Sequence, residues 1–222
     1  RANRGSPSIS NTGSRLSRCR IGGSVVPFLH SDSRVATPRL ALSALTPDDV
    51  DAVFAVYGDP ETWQHLPSGQ HARRDQSSEV VNESMASTRA SGLGQWAVRI
   101  GPAGAAADLH EGSFIGTGGL TMTPVGVWNL GYRLARRSWG RGFATEISHA
   151  AVEIARGGEG AAAITVRVLS NNPASASVAR RAGLDKVWEG STSAPAETGV
   201  YGEIYSDRPL DQRSLAWLIA HV

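Results

Sequence analysis

The chain has 222 residues, 41% hydrophobic and 19% charged, the make-up of a soluble globular protein with one substantial domain, or a domain plus a tail. No window nears the roughly 18 uninterrupted apolar residues of a membrane span. Cys19 is the only cysteine, which excludes an intramolecular disulfide framework and suits a reducing cytoplasm. The net charge of +2 is uneven: residues 1–34 hold six of the 22 basic residues against one acid, Asp32, so the remainder is slightly acidic and offers no broad nucleic-acid-binding face.

Residues 1–34 are rich in Ser, Gly and Arg and lack apolar periodicity, which predicts a basic, unstructured tail and a folded domain over 35–222. VVPFL is too short for the apolar core of a secretory signal. In TPRLALSAL, Leu40, Leu42 and Ala44 alternate with Ala41 and Ser43, a strand with one buried face. A helix follows, with Thr46 as N-cap, Pro47 at its first position and Val50, Val53, Phe54 and Tyr57 at helical spacing. A second helix begins at RRDQ and ends near Gly92. QWAVRI, SFIGTGGLTMT and VWNLGYRLA read as three strands, the first two joined by the small-residue loop GPAGAAADLHEG. Then come the helix ATEISHAAVEIARG, with Ile147, Ala151 and Ile154 on one face, the strand AAAITVRVLS and a helix over 173–182. KVWEGS and VYGEIYSDRP read as a closing strand pair.

Between the third of those strands and the next helix lies ARRSWGRGFATEIS, with Gly140 and Gly142 one residue apart among arginines. A helix N-terminus exposes unpaired N–H groups and a partial positive charge, and glycines let an anion approach the backbone. That arrangement suits a pyrophosphate. The dinucleotide-binding fingerprint is not met, because Thr145 stands where its third glycine belongs, and the ATP-binding P-loop is not met, because the loop has no lysine.

The segment Arg137, Ser138, Trp139, Gly140, Arg141, Gly142, Phe143, Ala144 resembles the acyl-CoA pyrophosphate loop of the GNAT acetyltransferase superfamily. NNPASASVARRAGL resembles that superfamily's next motif, through Asn172, Ser175, Arg181, Gly183 and Leu184. The opening TPRLALSALTPDDV and the form WGRGFATE, with Trp139 and Glu146, resemble the RimJ/RimL-like branch, which includes enzymes that acetylate the N-termini of ribosomal proteins. The resemblance covers roughly residues 36–210. It implies an α+β fold: a central, mostly antiparallel sheet with a splayed strand pair, flanked by helices. It also implies acetyl-CoA as co-substrate, no metal, and an amine acceptor, either a peptide N-terminus or a small amine.

By the same resemblance, Leu134, Ala135 and Arg136 supply the first edge of the splayed pair, and the amides from Arg137 to Ala144 hold the pyrophosphate. Asn172 meets the pantetheine arm or an ordered water; its chemistry equally suits a cap for the helix starting at Pro173. Ser175 is the thiol-side proton donor or an ordinary first-turn serine. The tyrosine that many members carry four residues before the motif's glycine is Ala179 here, which moves weight to Ser175 or water. The general base is less legible. Glu203 alternates with Tyr201 and Tyr205, a pattern that points all three to a pocket, and Glu61, His65 and Glu197 are further candidates. Trp139 is expected to pack beneath the loop, and His30, His71 and His110 lack metal-ligand spacing.

The leading reading is an acetyl-CoA-dependent N-acetyltransferase acting by direct attack in a ternary complex, with a weak preference for a cationic acceptor from the acidic body. The alternatives are a non-catalytic acyl-CoA-binding sensor or scaffold, and a basic tail that tethers the domain to RNA or ribosomes. Homodimers occur in the superfamily; no apolar stripe in the sequence argues for one, and the oligomeric state stays open.

Overall fold

The computed structural model describes residues 18–21, 24–27, 34–157, 161–192 and 199–222. Strands β1 (Arg18–Ile21) and β2 (Ser24–Pro27) form an antiparallel pair of their own. The rest of the expected tail lies outside the described residues, apart from Arg34. That residue opens β3 (Arg34–Ala36), which pairs with β4 (Leu40–Ala44) and so extends the sheet to the edge of the predicted domain. In β4 the predicted alternation holds, with Leu40, Leu42 and Ala44 buried.

Thr46 and Pro47 start the first helical segment as the sequence suggests, with one refinement. A 3₁₀ turn over Pro47–Asp49 precedes α1 (Val50–Tyr57), because Asp49 accepts from the Thr46 amide at 2.9 Å and pairs with Arg99. Val50, Val53 and Val56 form the buried face of α1. α2 (Arg74–Ser91) buries only Ser77, Val81 and Ser84 and ends at Gly92 in the left-handed conformation. β5 (Gln95–Ile100), β6 (Phe114–Met122) and β7 (Trp128–Leu134) follow, then α3 (Phe143–Arg156), β8 (Ile164–Leu169), α4 (Pro173–Arg181), β9 (Asp185–Gly190) and β10 (Gly202–Ser206). The chain continues into α5 (Gln212–Ile219), which the sequence reading does not anticipate. Its signal is Asp211, whose carboxylate accepts from the Ser214 amide at 2.8 Å just before the apolar run LAWLI.

Eight strands make one sheet in the order β3-β4-β5-β6-β7-β8-β10-β9. Every pairing is antiparallel except β7 with β8, which run parallel and pair only at Trp128 with Ile164 and Asn129 with Thr165. Beyond Asn129 and Thr165 the two strands diverge, and the sheet opens into a V. This is the splayed pair that the resemblance implies. Alternate residues along the strands face two cores. Trp96, Val98, Leu130 and Tyr205 pack with α3 and α4, whereas Ala97 packs with α1 and α2, and Ile204 with α5. The V is therefore walled by α3 and α4 on one side and reached from the α1–α2 connection on the other.

Candidate active site at the splayed strands

The glycine loop closes one side of the V. Gly140 and Gly142 both have left-handed backbones, φ 73° and 78°, which L side chains rarely adopt. A Cβ on Gly140 would meet nothing within 4 Å, so the space beside the loop is open. Gly142 is the N-cap of α3, and no side chain caps this helix. The first-turn amides of Phe143, Ala144 and Thr145 thus lack intrahelical acceptors where these residues line a cavity. Ser177, Val178 and Arg181 of α4 form its opposite wall. An anionic, phosphate-bearing group fits this cradle by chemistry and by space.

An unanticipated contact holds the loop. The Arg39 side chain, from the β3–β4 turn, donates through Nε to Glu146 Oε2 at 2.8 Å and through Nη1 to the Arg141 carbonyl at 2.7 Å. Glu146 Oε1 also accepts from the Arg39 amide at 2.8 Å and from the Thr37 hydroxyl. The Arg39 guanidinium lies 4.8 Å from the centre of the Phe143 ring. Of the arginines in the loop, Arg141 pairs with Asp108, Arg137 donates to the Phe114 carbonyl at 3.1 Å, and Arg136 lies over the Trp139 indole.

A second cleft, of about 500 Å³, continues from the first, Tyr132, Leu134, Trp139 and Ala174 being common to both walls. Its floor is the mouth of the V. Asn172 accepts from the Ser175 amide at 3.1 Å, the cap that its sequence position suggests, and so sets the first turn of α4 at the cleft. There the Tyr132 hydroxyl donates to Ser175 Oγ at 3.1 Å. Burial raises the Tyr132 pKa above its ordinary value, which keeps the phenol protonated. Sequence reasoning missed Tyr132, and nothing local in VWNLGYRLA marks it.

On the α1–α2 side the cleft is lined by Thr62, Gln64, His65 and Arg133. Arg133 donates to the Thr62 carbonyl and lies over the Trp63 and Tyr57 rings. Burial lowers its pKa to about 10, still charged at neutral pH. His65 is pushed down to about 4, first by burial and then by the Arg133 charge, so it is neutral above that pH. The Asn171 side chain donates to the His65 carbonyl at 3.2 Å and holds this loop against the start of α4.

The sequence profile described as "Acetyltransferase (GNAT) domain" matches residues 39–185, well over half of the chain and all of the residues that line the two clefts. The chain belongs to the GNAT acetyltransferase family. Among curated proteins it is similar to the uncharacterized protein YkkB of Bacillus subtilis (strain 168), 26% identical over 129 residues, which are 56% of this chain and 69% of YkkB. Among solved structures it shares its fold with RimL, a ribosomal L7/L12 alpha-N-protein acetyltransferase in complex with coenzyme A. The TM-score is 0.63 at 15% identity, over 81% of this chain and 99% of that one. It also shares its fold with a chimera of the spermidine N-acetyltransferase SpeG from Vibrio cholerae, with TM-score 0.57 at 15% identity, over 75% of this chain and 92% of the other. The RimL likeness agrees, at the level of the fold, with the RimJ/RimL-like branch.

Within this GNAT fold most of the predicted site residues come together, with four corrections. Leu134, Ala135 and Arg136 do not present free carbonyls. Leu134 accepts from the Trp139 indole at 2.8 Å, Ala135 from Ser138, and Arg136 from the Trp139 amide, while the Ala135 amide donates to Ile115. Trp139 does not pack beneath the loop; it is 40% exposed and forms part of both cavity walls. Ser138 is buried and serves the loop's own turn.

The fourth correction concerns Glu203. Its alternation with Tyr205 is real, but β10 turns both toward α4 and β9. There Glu203 accepts from the Tyr205 hydroxyl at 2.7 Å and from Lys186 at 3.3 Å, and it lines neither cleft. Tyr201 is exposed at the strand's end, and Glu61 is exposed outside the cleft walls. Glu197 and His30 lie outside the described residues. Of the proposed bases among the described residues, only His65 reaches the cleft.

Proposed function

We propose that this protein transfers an acetyl group from acetyl-CoA to a primary amine by direct attack in a ternary complex. The observation that carries the reading is the continuity of the two clefts, through Tyr132, Leu134, Trp139 and Ala174, from the glycine loop to the V. The amides at Gly140–Ala144 and the start of α3 take the pyrophosphate, with Arg181 across the cavity as a cation. The thioester lies in the V. The acceptor nitrogen, entering from the α1–α2 side, attacks its carbonyl carbon. The C–S bond breaks, the thiolate takes the proton of Ser175, which draws on Tyr132 through their hydrogen bond, and the proton that the acylated nitrogen loses passes to solvent, from which Tyr132 is reprotonated.

Among the described residues, no carboxylate stands in the reacting cleft to act as base. An α-amine with a pKa of about 7.7–8.0 is already substantially neutral just above neutrality, so none is required. Every group invoked comes from a single chain, and transfer needs no second copy. A cytoplasmic location suits the single cysteine.

The structural neighbours named above include a protein N-terminal and a polyamine acetyltransferase, so family and fold leave both acceptor classes open. Ala179, standing where a tyrosine is usual, gives a non-catalytic sensor some weight. Tyr132 of β7, beside Ser175, supplies a hydroxyl from outside α4 and favours catalysis. The test is thiol release from acetyl-CoA with short Ala- and Ser-starting peptides and small amines. Release that requires an amine supports transfer; acetyl-CoA binding without release from any amine supports the sensor.

A further inference from the structure

The charge at the acceptor end of the V is one-signed. Of the described residues whose side chains line the reacting cleft, only Arg133 is charged at neutral pH, and none is a carboxylate. Arg133 is partly buried, enough to lower the pKa of its guanidinium. A buried guanidinium normally has a carboxylate partner, because desolvating a charge is costly unless another charge offsets it. Arg133 has a carbonyl and two aromatic rings, and it has five N–H donors.

We infer that the acceptor is a primary amine that carries an anionic group, a carboxylate or a phosphate, which Arg133 binds on the α1–α2 side of the V. This rests on the acetyl-transfer reading above and names the acceptor class of that same site. The slightly acidic body as a whole points the other way, to a cationic acceptor, but screening confines its effect to about 8–10 Å, and the groups that touch the acceptor are those of the cleft. A polyamine would bring several ammonium charges to a desolvated arginine. An anion on the acceptor gives Arg133 the bidentate partner that its planar fork matches. The arginine's charge also disfavours the protonated form of the attacking amine, which serves the reaction where a base is missing.

The test compares amines that differ only in the anion. One pair is a dipeptide with a free C-terminal carboxylate and its C-terminal amide; a second is phosphoethanolamine and ethanolamine; spermidine is the cationic arm. Thiol release gives kcat/KM for each, and calorimetry gives acetyl-CoA affinity separately. The anionic member of at least one pair should be favoured about 10-fold or more, the size of one hydrogen-bonded charge contact, and that pair names carboxylate or phosphate. Arg133→Gln should collapse the ratio, Arg133→Lys should retain part of it, and acetyl-CoA affinity should be unchanged in both. The wild-type pairs carry the test even where a variant folds poorly. Equal rates within both pairs, or spermidine as the best acceptor, would overturn this inference and leave acetyl transfer standing. Thiol release from no amine, with acetyl-CoA bound, would overturn both.

Discussion

The Tyr132 hydroxyl, on β7, donates a hydrogen bond to Ser175 Oγ, in the first turn of α4, across the mouth of the V at 3.1 Å. The two residues are far apart in sequence and are brought together by one helix and one parallel strand. If they act as a proton relay to the thiolate, Tyr132→Phe should lower kcat about 100-fold while leaving acetyl-CoA affinity within about twofold. Ser175→Ala should fall similarly, and the double variant should be no slower than the worse single one, because residues that act as a unit are not additive. Single-turnover kinetics with calorimetry on the same variants separates this from a binding defect.

Glu146 anchors the glycine loop to the β3–β4 turn through Arg39 and Thr37. Its side chain is only 10% exposed, so these charge-assisted bonds are weakly screened. Glu146→Ala should cost about 2 kcal/mol in denaturant unfolding. It should also weaken acetyl-CoA binding, because Arg39 would lose the carboxylate that aims it at the Arg141 carbonyl. Unchanged affinity in a folded Glu146→Ala protein would contradict the loop-anchoring role.

His65 and His71 both have pKa values lowered by burial and by the Arg133 charge, His65 to about 4. A base whose folded pKa lies below its unfolded value of about 6.5 binds more protons when unfolded, so stability is complete above pH 6.5 and declines as pH falls toward 4. Asp207 and Asp211 have lowered values and keep their contributions until pH falls below about 4. The window between those limits therefore belongs to the histidines. Melting temperature measured from pH 7 to 4.5 should fall for the wild type and fall less steeply for His65→Gln.

A missing base has its own signature. With His65 neutral, and Glu203 held by Lys186 and Tyr205 away from the clefts, kcat/KM should rise with pH along the acceptor amine's own titration. Glu203→Gln should leave that profile in place. A profile with a fixed protein pKa near 6–7, lost in one carboxylate variant, would show that a base exists.

Much of this was legible in the sequence, and the failures share a cause. The glycine pair, the Asn172 cap and the alternation in β4 are local patterns, and each is found where periodicity and helix-end chemistry place it. Glu203 and Tyr205 do alternate as read. Which face of the sheet they take depends on where α4 and α5 pack, and alternation alone does not say. Tyr132–Ser175 and Arg39–Glu146 join segments that only the strand order brings together. Arg133 reads as an ordinary strand arginine until its neighbours are known to be Trp63, Tyr57 and a carbonyl.

The most direct test of the central claim is calorimetric titration of acetyl-CoA into the wild-type protein and a Gly142→Glu variant. A carboxylate at the N-cap of α3 would meet the phosphates and would strain a left-handed backbone position. The account predicts saturable binding by the wild type that the folded variant loses. Binding of equal strength in both, or none by a folded wild type, would contradict the assignment of the glycine loop to the pyrophosphate.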